Sequence, residues 1–474
     1  MSKLIIPAQL HARLYSHLLR DELEHLAFIL CSVSVCTDGP IFLGRDILCI
    51  DDTDLDGELE HGLGLKVARL LEAINIAIKA KLVLVEAHSH PFSAHPRFSD
   101  YDMEGFCDTV PYMLDSMPGS PYGATVWGRD GIMGIGWTDW PQKAVSIRIS
   151  VVGQNEIGWP SIAPDFEGES GRFDRQIRML GPASTAKIRK LNFAIAGLSG
   201  LGSHFAQQLT HLGADSFVFV DPKLVEEHNL NRIVGARASD VGRPKVDVIS
   251  DQIRAISPRA RVLSIPTDLR DKAALDALKG VDLIFSCVDN DGARLILNEL
   301  SRAYQIPMVD CGVEARVEDG VLREVGGRIN LVVPGGPCLH CMGQIDIQEA
   351  RAILASDGER YHAQRLGYIN GNKNPSPAVI SVNGAVASIA IMEFLILLSG
   401  ARPFVQFLVY DILGGGRGRN SQWLTPQRQE RSSGCFECTL DGIGDAVDLA
   451  RYSPSKLSLT NFEWSNPIEP GRVC

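Results

Sequence analysis

The chain reads as α/β throughout, in two units: a small N-terminal α/β domain, then a larger Rossmann-like domain stapled by a structural zinc site. Three observations predict this. Leu191 to Asp221 runs through an apolar strand, the glycine turn GLSGLG, an amphipathic helix and a second apolar strand, FVFV, which is a βαβ unit. An earlier strand ends in AHSHP, which sets two histidines side by side. Four cysteines fall late in the chain as two Cys-x-x-Cys pairs.

Composition sets the limits. The 474 residues suffice for two or three domains, and 45% hydrophobic residues can fill their cores. A net charge of −11, from 46 basic and 57 acidic residues, argues against a nucleic-acid surface. MSKLIIPAQLHARLYS lacks the sustained apolar segment of a secretory signal. The apolar stretch Ala385 to Leu398 is too short to span a bilayer and carries Glu393, so it is expected as a core helix and no membrane is implied. Eleven cysteines in a long chain without a signal argue for reduced thiols, metal ligation and the cytoplasm.

Residues 1–152 are expected to form the first domain. Leu4 to Arg20 reads as an amphipathic helix, Leu26 to Val35 and Ile41 to Ile50 as strands, Val67 to Ile78 as a helix, and Leu82 to Val85 as the strand leading to AHSHP. His88 and His90, two apart on an extended segment, point the same way. With Asp102 of FSDYD they offer two imidazoles and a carboxylate, leaving the fourth position of a tetrahedral Zn²⁺ open, as in a catalytic site. Glu24, which opens EHLAFIL, is the candidate base for amide hydrolysis.

This set resembles the JAB/MPN (JAMM) metalloprotease family, whose members cleave isopeptide bonds or ubiquitin-like precursors. The resemblance implies that His88, His90 and Asp102 are zinc ligands, Glu24 the general base, and Ser99 the residue that steadies the oxyanion. The gap from His90 to Asp102 is one residue longer than that family's pattern, so His95 and Asp100 stand as substitutes or bystanders. The plainer alternative is a domain that keeps these residues and only binds a partner.

Residues 153–170, rich in Pro, Gly and acids (QNEIGWPSIAPDFEGESG lies across them), mark the boundary, and residues 171–440 form the second domain. Phe173 to Met179 opens a helix carrying Arg175. Gly197, Gly200 and Gly202 then follow a strand and open a helix, where free N–H groups and the helix dipole attract an anion. The spacing is GxxGxG and not the dinucleotide GxGxxG, so the loop alone also fits a nicotinamide or flavin domain or a tight turn. Asp221, after the second strand, lies where such folds place an acid on the ribose. Arg232 in NLNR, Lys245 in GRPK and Asp289 in SCVDN then supply two cations and a carboxylate for Mg²⁺, the set a triphosphate requires as pyrophosphate leaves. Val246 to Ile256 reads as a helix, and Val262 to Pro266, Val281 to Ser286 and Pro307 to Cys311 as strands. Arg323 to Val333 is expected to cross toward the substrate side, and Arg294 and Asn298 either face the nucleotide or are structural.

RFDRQIRMLG, GLSGLG, VDPKLVEEHNLNR, GRPK and SCVDN, in this order, resemble the ThiF-type adenylating enzymes, which include the activating enzymes of ubiquitin-like proteins. The resemblance covers roughly Gly171 to Cys438. It implies that Asp221 binds the ribose, that Asn229, Arg232 and Lys245 bind the phosphates, that Asp289 binds Mg²⁺, and that Arg175 reaches the ATP of the other protomer of a homodimer. Ser199 stands where the family has glycine, and Lys223 where it has a second acid. Cys338, Cys341, Cys435 and Cys438 would close a structural Zn²⁺ site that staples a late segment onto the domain.

The implied reaction joins the C-terminal carboxylate of a ubiquitin-like or sulfur-carrier protein to the α-phosphate of ATP. No cysteine lies between Met342 and Gly384, Cys287 and Cys311 read as core, and Cys474 lacks a nearby base, so direct transfer to a partner's sulfur is expected, a conjugating enzyme being one such partner. Residues 441–474 read as an extended tail packed on the surface. The alternatives are an adenylating enzyme of sulfur-carrier, cofactor or peptide natural-product synthesis, and a non-catalytic JAB-like scaffold. Fusions of the two resembled families look like parts of bacterial conjugation systems, some tied to antiviral defence, though no residue here indicates that role.

Overall fold

The computed structural model describes residues 2–36, 39–56, 64–153, 157–158, 170–355, 379–413, 424–427 and 429–453. Most of the expected boundary segment, the tail beyond residue 453 and Cys474 lie outside the described residues.

The first domain contains strands β1 (Ser2–Pro7), β2 (Leu26–Cys36), β3 (Gly39–Cys49), β4 (Leu55–Asp56), β5 (Gly64–Leu65), β6 (Val83–Ser89), β7 (Tyr122–Trp127), β8 (Ile132–Trp137), β9 (Val145–Val152) and β10 (Ile157–Gly158). Helices α1 (Ala8–Leu18), α2 (Val67–Ala80) and α3 (Asp100–Ser116) accompany them. Apart from the β4–β5 pair, the strands form one sheet ordered β1-β3-β2-β6-β7-β8-β9-β10. Because β1 also pairs in parallel with β9, from Ser2 opposite Ile147 to Pro7 opposite Val152, the sheet closes on itself. The helix expected from Leu4 is corrected here: KLII is a strand bonded on both sides, and α1 starts only after Pro7, whose missing N–H ends the ladder. Helix α3 and strands β7 to β9 go beyond the elements expected from sequence.

The second domain continues with α4 (Ser170–Lys190), β11 (Phe193–Ala196), α5 (Gly200–His211), β12 (Ser216–Val220), α6 (Lys245–Ile256), β13 (Arg261–Ile265), α7 (Lys272–Lys279), β14 (Leu283–Ser286) and α8 (Asp291–Ala303). It ends with β15 (Met308–Glu318), β16 (Val321–Val332), α9 (Ile347–Leu354), α10 (Ile380–Ser399), β17 (Phe407–Asp411), β18 (Leu424–Gln427) and α11 (Phe436–Thr439). The sheet order is β13-β12-β11-β14-β15-β16-β17-β18, parallel from β13 to β15 and antiparallel beyond. Strand order reverses between β11 and β14, and the carboxyl ends of strands flanking such a reversal open a crevice for ligands.

Helix α10 is longer than the apolar stretch suggested. At 20 residues it meets the length and hydropathy of a membrane span, which overturns the argument from shortness. It is packed as a core helix, as expected: Val386, Ala390 and Phe394 are buried against α5 and the sheet, and buried Glu393 is paired with Arg402, Oε2 to Nη1 at 2.9 Å.

The two domains share a core. Ile5, Ile41, Leu43 and Val152 of the first pack in one cluster with Leu275, Val281, Leu440, Val447 and Leu449 of the second. At its edge the buried Asp282 carboxylate accepts from Lys3 Nζ (2.8 Å), Arg148 Nη2 (2.9 Å) and the Asn192 N–H (2.8 Å). Residues 441–453, expected to belong to a surface tail, instead run into this interface: Ser32 Oγ donates to the Gly442 carbonyl, and the Val35 N–H to Asp445 Oδ2 at 3.2 Å.

Candidate active site

A cavity of about 1360 Å³ opens at the carboxyl edge of the parallel strands. The glycine turn forms its floor. Gly197 sits at φ +88°, and a Cβ on Gly202 would lie 1.9 Å from the Gly197 carbonyl oxygen, so side chains are excluded where the chain folds back to start α5. A Cβ on Gly200 would strike the Asn383 amide at 2.6 Å, which docks the turn against α10. Ser199 N-caps α5 without a side-chain bond to it and lines the cavity.

The structure brings Asp221, Asn229, Arg232, Lys245 and Asp289 together on this cavity. Asp221, past the end of β12, is braced by the turn: its carboxylate accepts from the N–H groups of Leu198 (2.6 Å) and Lys223 (2.8 Å). Asn229 is buried and accepts from the Glu226 N–H through Oδ1 at 3.2 Å. Arg232 donates to the His228 carbonyl at 2.7 Å, which aims the guanidinium back along its own loop. Lys245 opens α6, is 4% exposed, and has no hydrogen bond or ion pair to its ammonium among the described residues. Burial pushes its pKa down, Lys223 and Arg232 add to that, and Asp221 opposes. An ammonium so placed is set to receive an anion.

Asp289 and Lys223 form an ion pair 2.7 Å long across the cavity mouth. Burial works to raise the Asp289 carboxyl, but Lys223 and Asn290 hold it below the usual range. Lys223, read from sequence only as a departure, thus stands as a cation on the carboxylate expected to hold Mg²⁺. Arg175 lies exposed on α4 and does not line the cavity of its own chain. Asn298 is structural: its Oδ1 accepts from the Leu339 N–H at 3.0 Å. Cys287 and Cys311 do line the cavity, and burial pushes both thiols well up, which disfavours the thiolate. Arg294, and Arg328 on β16, which the sequence did not single out, complete the far wall.

The four late cysteines converge. Sulfur separations are 3.7 Å for Cys338–Cys341, 3.6 Å for Cys338–Cys435 and 3.6 Å for Cys341–Cys438. Four zinc–thiolate bonds of about 2.3 Å put the sulfurs of a regular tetrahedron about 3.8 Å apart, so this donor set fits Zn²⁺. Glu437 accepts from His340 Nδ1 at 2.9 Å beside it.

In the first domain, His88 at the end of β6, His90 just after it and Asp102 in the first turn of α3 have ligand atoms within 4.8 Å of one another. Asp102 lies 3.5 Å from both Nε2 atoms, and Glu24 Oε1 is 3.6 Å from His90 Nε2. His88 Nδ1 is 3.5 Å from Glu86, which accepts from Tyr122; such a carboxylate behind an imidazole orients a metal ligand. His88 Nε2 is buried without a hydrogen-bond partner, as expected of a donor atom awaiting an ion. Burial pushes His88 down, but Asp102 and Glu86 prevail and lift it to about 9, so the imidazole must give up a proton before it can ligate an ion; Asp102, opposed by its own burial, is drawn to about 2 by His88 and Ser99. Ser99 N-caps α3 in a capping box with Asp102, its hydroxyl and N–H both donating to Asp102 Oδ2 (2.8 and 2.6 Å). His95 and Asp100 are exposed and outside the cluster.

Residues 173–441 match the ThiF family. Among relatives, the "SAMP-activating enzyme E1" of Haloferax volcanii is 28% identical over 173 residues, covering 36% of this chain and 61% of that protein. The "Sulfur carrier protein adenylyltransferase" of Thermus thermophilus is 28% identical over 182 residues, 37% of this chain and 64% of that protein. Less than two thirds of either relative is therefore spanned. A crystal structure of E. coli MccB with MccA-N7isoASN superposes with a TM-score of 0.45 at 19% identity, covering 58% of this chain and 77% of that one.

Proposed function

The chain belongs to the ThiF family, and from that premise we propose that it adenylates the C-terminal carboxylate of a ubiquitin-like or sulfur-carrier protein with ATP. The observation that carries this reading is the convergence of Asp221, Asn229, Arg232, Lys245 and Asp289 on one cavity floored by a helix N-terminus. A C-terminal carboxyl, with a pKa of roughly 3.3–3.7, is ionised at neutral pH. Its oxygen attacks the α-phosphorus directly, the bond to the bridging oxygen breaks, and pyrophosphate leaves with both electrons; no proton moves. The protein's task is alignment and charge neutralisation. Asp221 orients the ribose, the turn's N–H groups and Asn229 hold the phosphates, and Lys245 and Arg232 balance the charge of the leaving group. Asp289, which already carries a cation in Lys223, would hold Mg²⁺, an additional countercharge for the phosphates. Arg175, exposed and away from its own cavity, is left free to serve a partner protomer of a homodimer. The buried thiols of Cys287 and Cys311 speak for an adenylate passed directly to a partner's sulfur.

A second reading concerns the first domain, favoured by the convergence of His88, His90 and Asp102. These residues would hold Zn²⁺ as a Lewis acid for hydrolysis of a precursor or conjugate, with Glu24 as proton acceptor and Ser99 fixing Asp102. The test of the main reading is ATP–pyrophosphate exchange by the full-length protein with each small protein that co-purifies with it. Exchange should depend on one such protein and vanish in Asp289→Ala; exchange retained by Asp289→Ala would remove that residue from its role.

A further inference from the structure

Arg328 lies on β16 opposite Gly312 of β15, and both line the cavity. A Cβ on Gly312 would sit 3.4 Å from Arg328 Nε, so the glycine leaves the space over which the guanidinium lies. Among the described residues that guanidinium makes no hydrogen bond and no ion pair within 4 Å, and its Nε is buried without an acceptor. The charged groups facing it include Arg294, Asp310, Asp291 and Glu314, and the buried Asp310 and the half-buried Asp291 are already used. Asp310 accepts from Ser286 Oγ (2.7 Å) and Asn330 Nδ2 (3.3 Å). Asp291 accepts from Arg294 Nη1 (2.9 Å) and the Asp346 N–H (2.9 Å). Glu314 is exposed. A buried N–H donor without an acceptor is costly, so the Nε–H of a guanidinium on the cavity wall calls for a ligand acceptor.

Position decides which acceptor. The phosphate-binding turn follows β11, while Arg328 is three strands away on β16, about 14 Å at ~4.8 Å per strand. The cavity continues past it to Val409, Tyr410 and Asp411 on β17. Arg328 therefore stands between the nucleotide end and the outer end, where an entering polypeptide terminus would pass. A guanidinium fork suits a carboxylate in two-point contact.

We propose that Arg328 is a specificity-determining residue that receives the C-terminal carboxylate of the incoming polypeptide and steers it toward the nucleotide. This rests on the adenylation reading above. The test uses the full-length protein, with tetraglycine as a side-chain-free terminus and tetraglycinamide as the same chain without the charge. Wild type should bind tetraglycine at least tenfold tighter than the amide by calorimetry. Arg328→Gln should lose that preference while binding ATP normally, and Arg328→Lys should keep part of it. An unchanged preference in a folded Arg328→Gln, or no preference in wild type, overturns the assignment. Exchange kinetics separate this from the reaction itself. Wild-type exchange with an unchanged carrier KM in Arg328→Gln sinks Arg328 and leaves adenylation standing. Absence of wild-type exchange sinks adenylation, while the peptide comparison, which needs no turnover, still decides Arg328.

Discussion

Replacing Lys223 by glutamine should tighten divalent-cation binding at Asp289. Lys223 Nζ lies 2.7 Å from Asp289 Oδ2, with both side chains more than half exposed. Such an exposed pair is worth only about 0.2–1 kcal/mol. A dication on the same carboxylate would also meet the ammonium it displaces; charges of +2 and +1 about 5 Å apart repel by roughly 1.7 kcal/mol even at the dielectric constant of water. Together the two effects come to about 2 kcal/mol, or roughly 30-fold in affinity. If the lysine swings onto a phosphate, the repulsion disappears and only the pair remains, a few-fold at most. Mn²⁺ titration followed by electron paramagnetic resonance, first without nucleotide and then with ATP, separates these cases. Lys223→Gln should bind Mn²⁺ about 30-fold tighter without nucleotide, and the gain should shrink with ATP bound. Asp289→Asn should abolish the site. Equal or weaker binding by Lys223→Gln would refute the claim that this lysine and a metal ion share one carboxylate.

Two further outcomes follow from the cysteine and histidine clusters and from the domain interface. Wild type should carry two zinc equivalents by atomic absorption, and Cys438→Ser and His90→Ala one each; since a structural zinc contributes on the order of 10 kcal/mol, Cys438→Ser alone should also lower the melting temperature by at least ~10 °C. An unaltered zinc count in His90→Ala would dismiss the histidine site. At the domain interface, burial alone would raise Asp282, but Lys3 and Arg148 hold it below the usual 3.8. Its ionised form therefore stabilises the fold fully above the unfolded pKa, and that contribution is lost as pH falls through the lower folded value. Asp282→Asn should cost about 3 kcal/mol near neutrality, with the difference narrowing below about pH 4 in urea titrations; a difference that stays constant down to pH 3 would show that the charge is not what matters.

What was legible in the sequence was local. The turn could be read because Gly197, at φ +88°, and Gly202, 1.9 Å from a clash, leave glycine as the fitting residue within a few positions of a strand and a helix. The cysteine cluster could be read because each Cys-x-x-Cys pair carries its geometry within one turn. Strand β1 could not: KLII suits a strand or the start of a helix, and its partners Ile41–Leu43 and Ile147–Val152 arrive much later in the chain. The segment DGIGDAVDLARY shows neither a strand nor a helix period in its apolar residues, and Val447 and Leu449 are buried in a cluster whose members come from both domains. Arg328 lies in the stretch Arg323 to Val333, expected to cross toward the substrate side, but nothing local in GGRIN marks it, because its place on the cavity depends on β15 and β17 pairing on either side of its strand.

The interface also fixes how the two candidate sites relate. Asp282, which Lys3 and Arg148 grip, immediately precedes β14, and Asp289 follows the other end of that strand. Seven residues at ~3.3 Å each separate them by up to about 23 Å of nearly extended chain. The first domain thus docks on the amino edge of the parallel sheet, while the cavity opens at the carboxyl edge and, among the described residues, is lined by ones between Gly197 and Asp411. Among the described residues, none of the histidine domain lines the cavity in which a carboxylate beside Asp289 would sit in the same chain. If the hydrolysis proposed for His88, His90 and Asp102 takes place, its product must therefore leave that site before it reaches the cavity, or be received by a second copy. On the two readings proposed above, Asp289→Ala should remove pyrophosphate exchange and His90→Ala any hydrolysis, one at a time, without either change reaching the opposite site through direct contact.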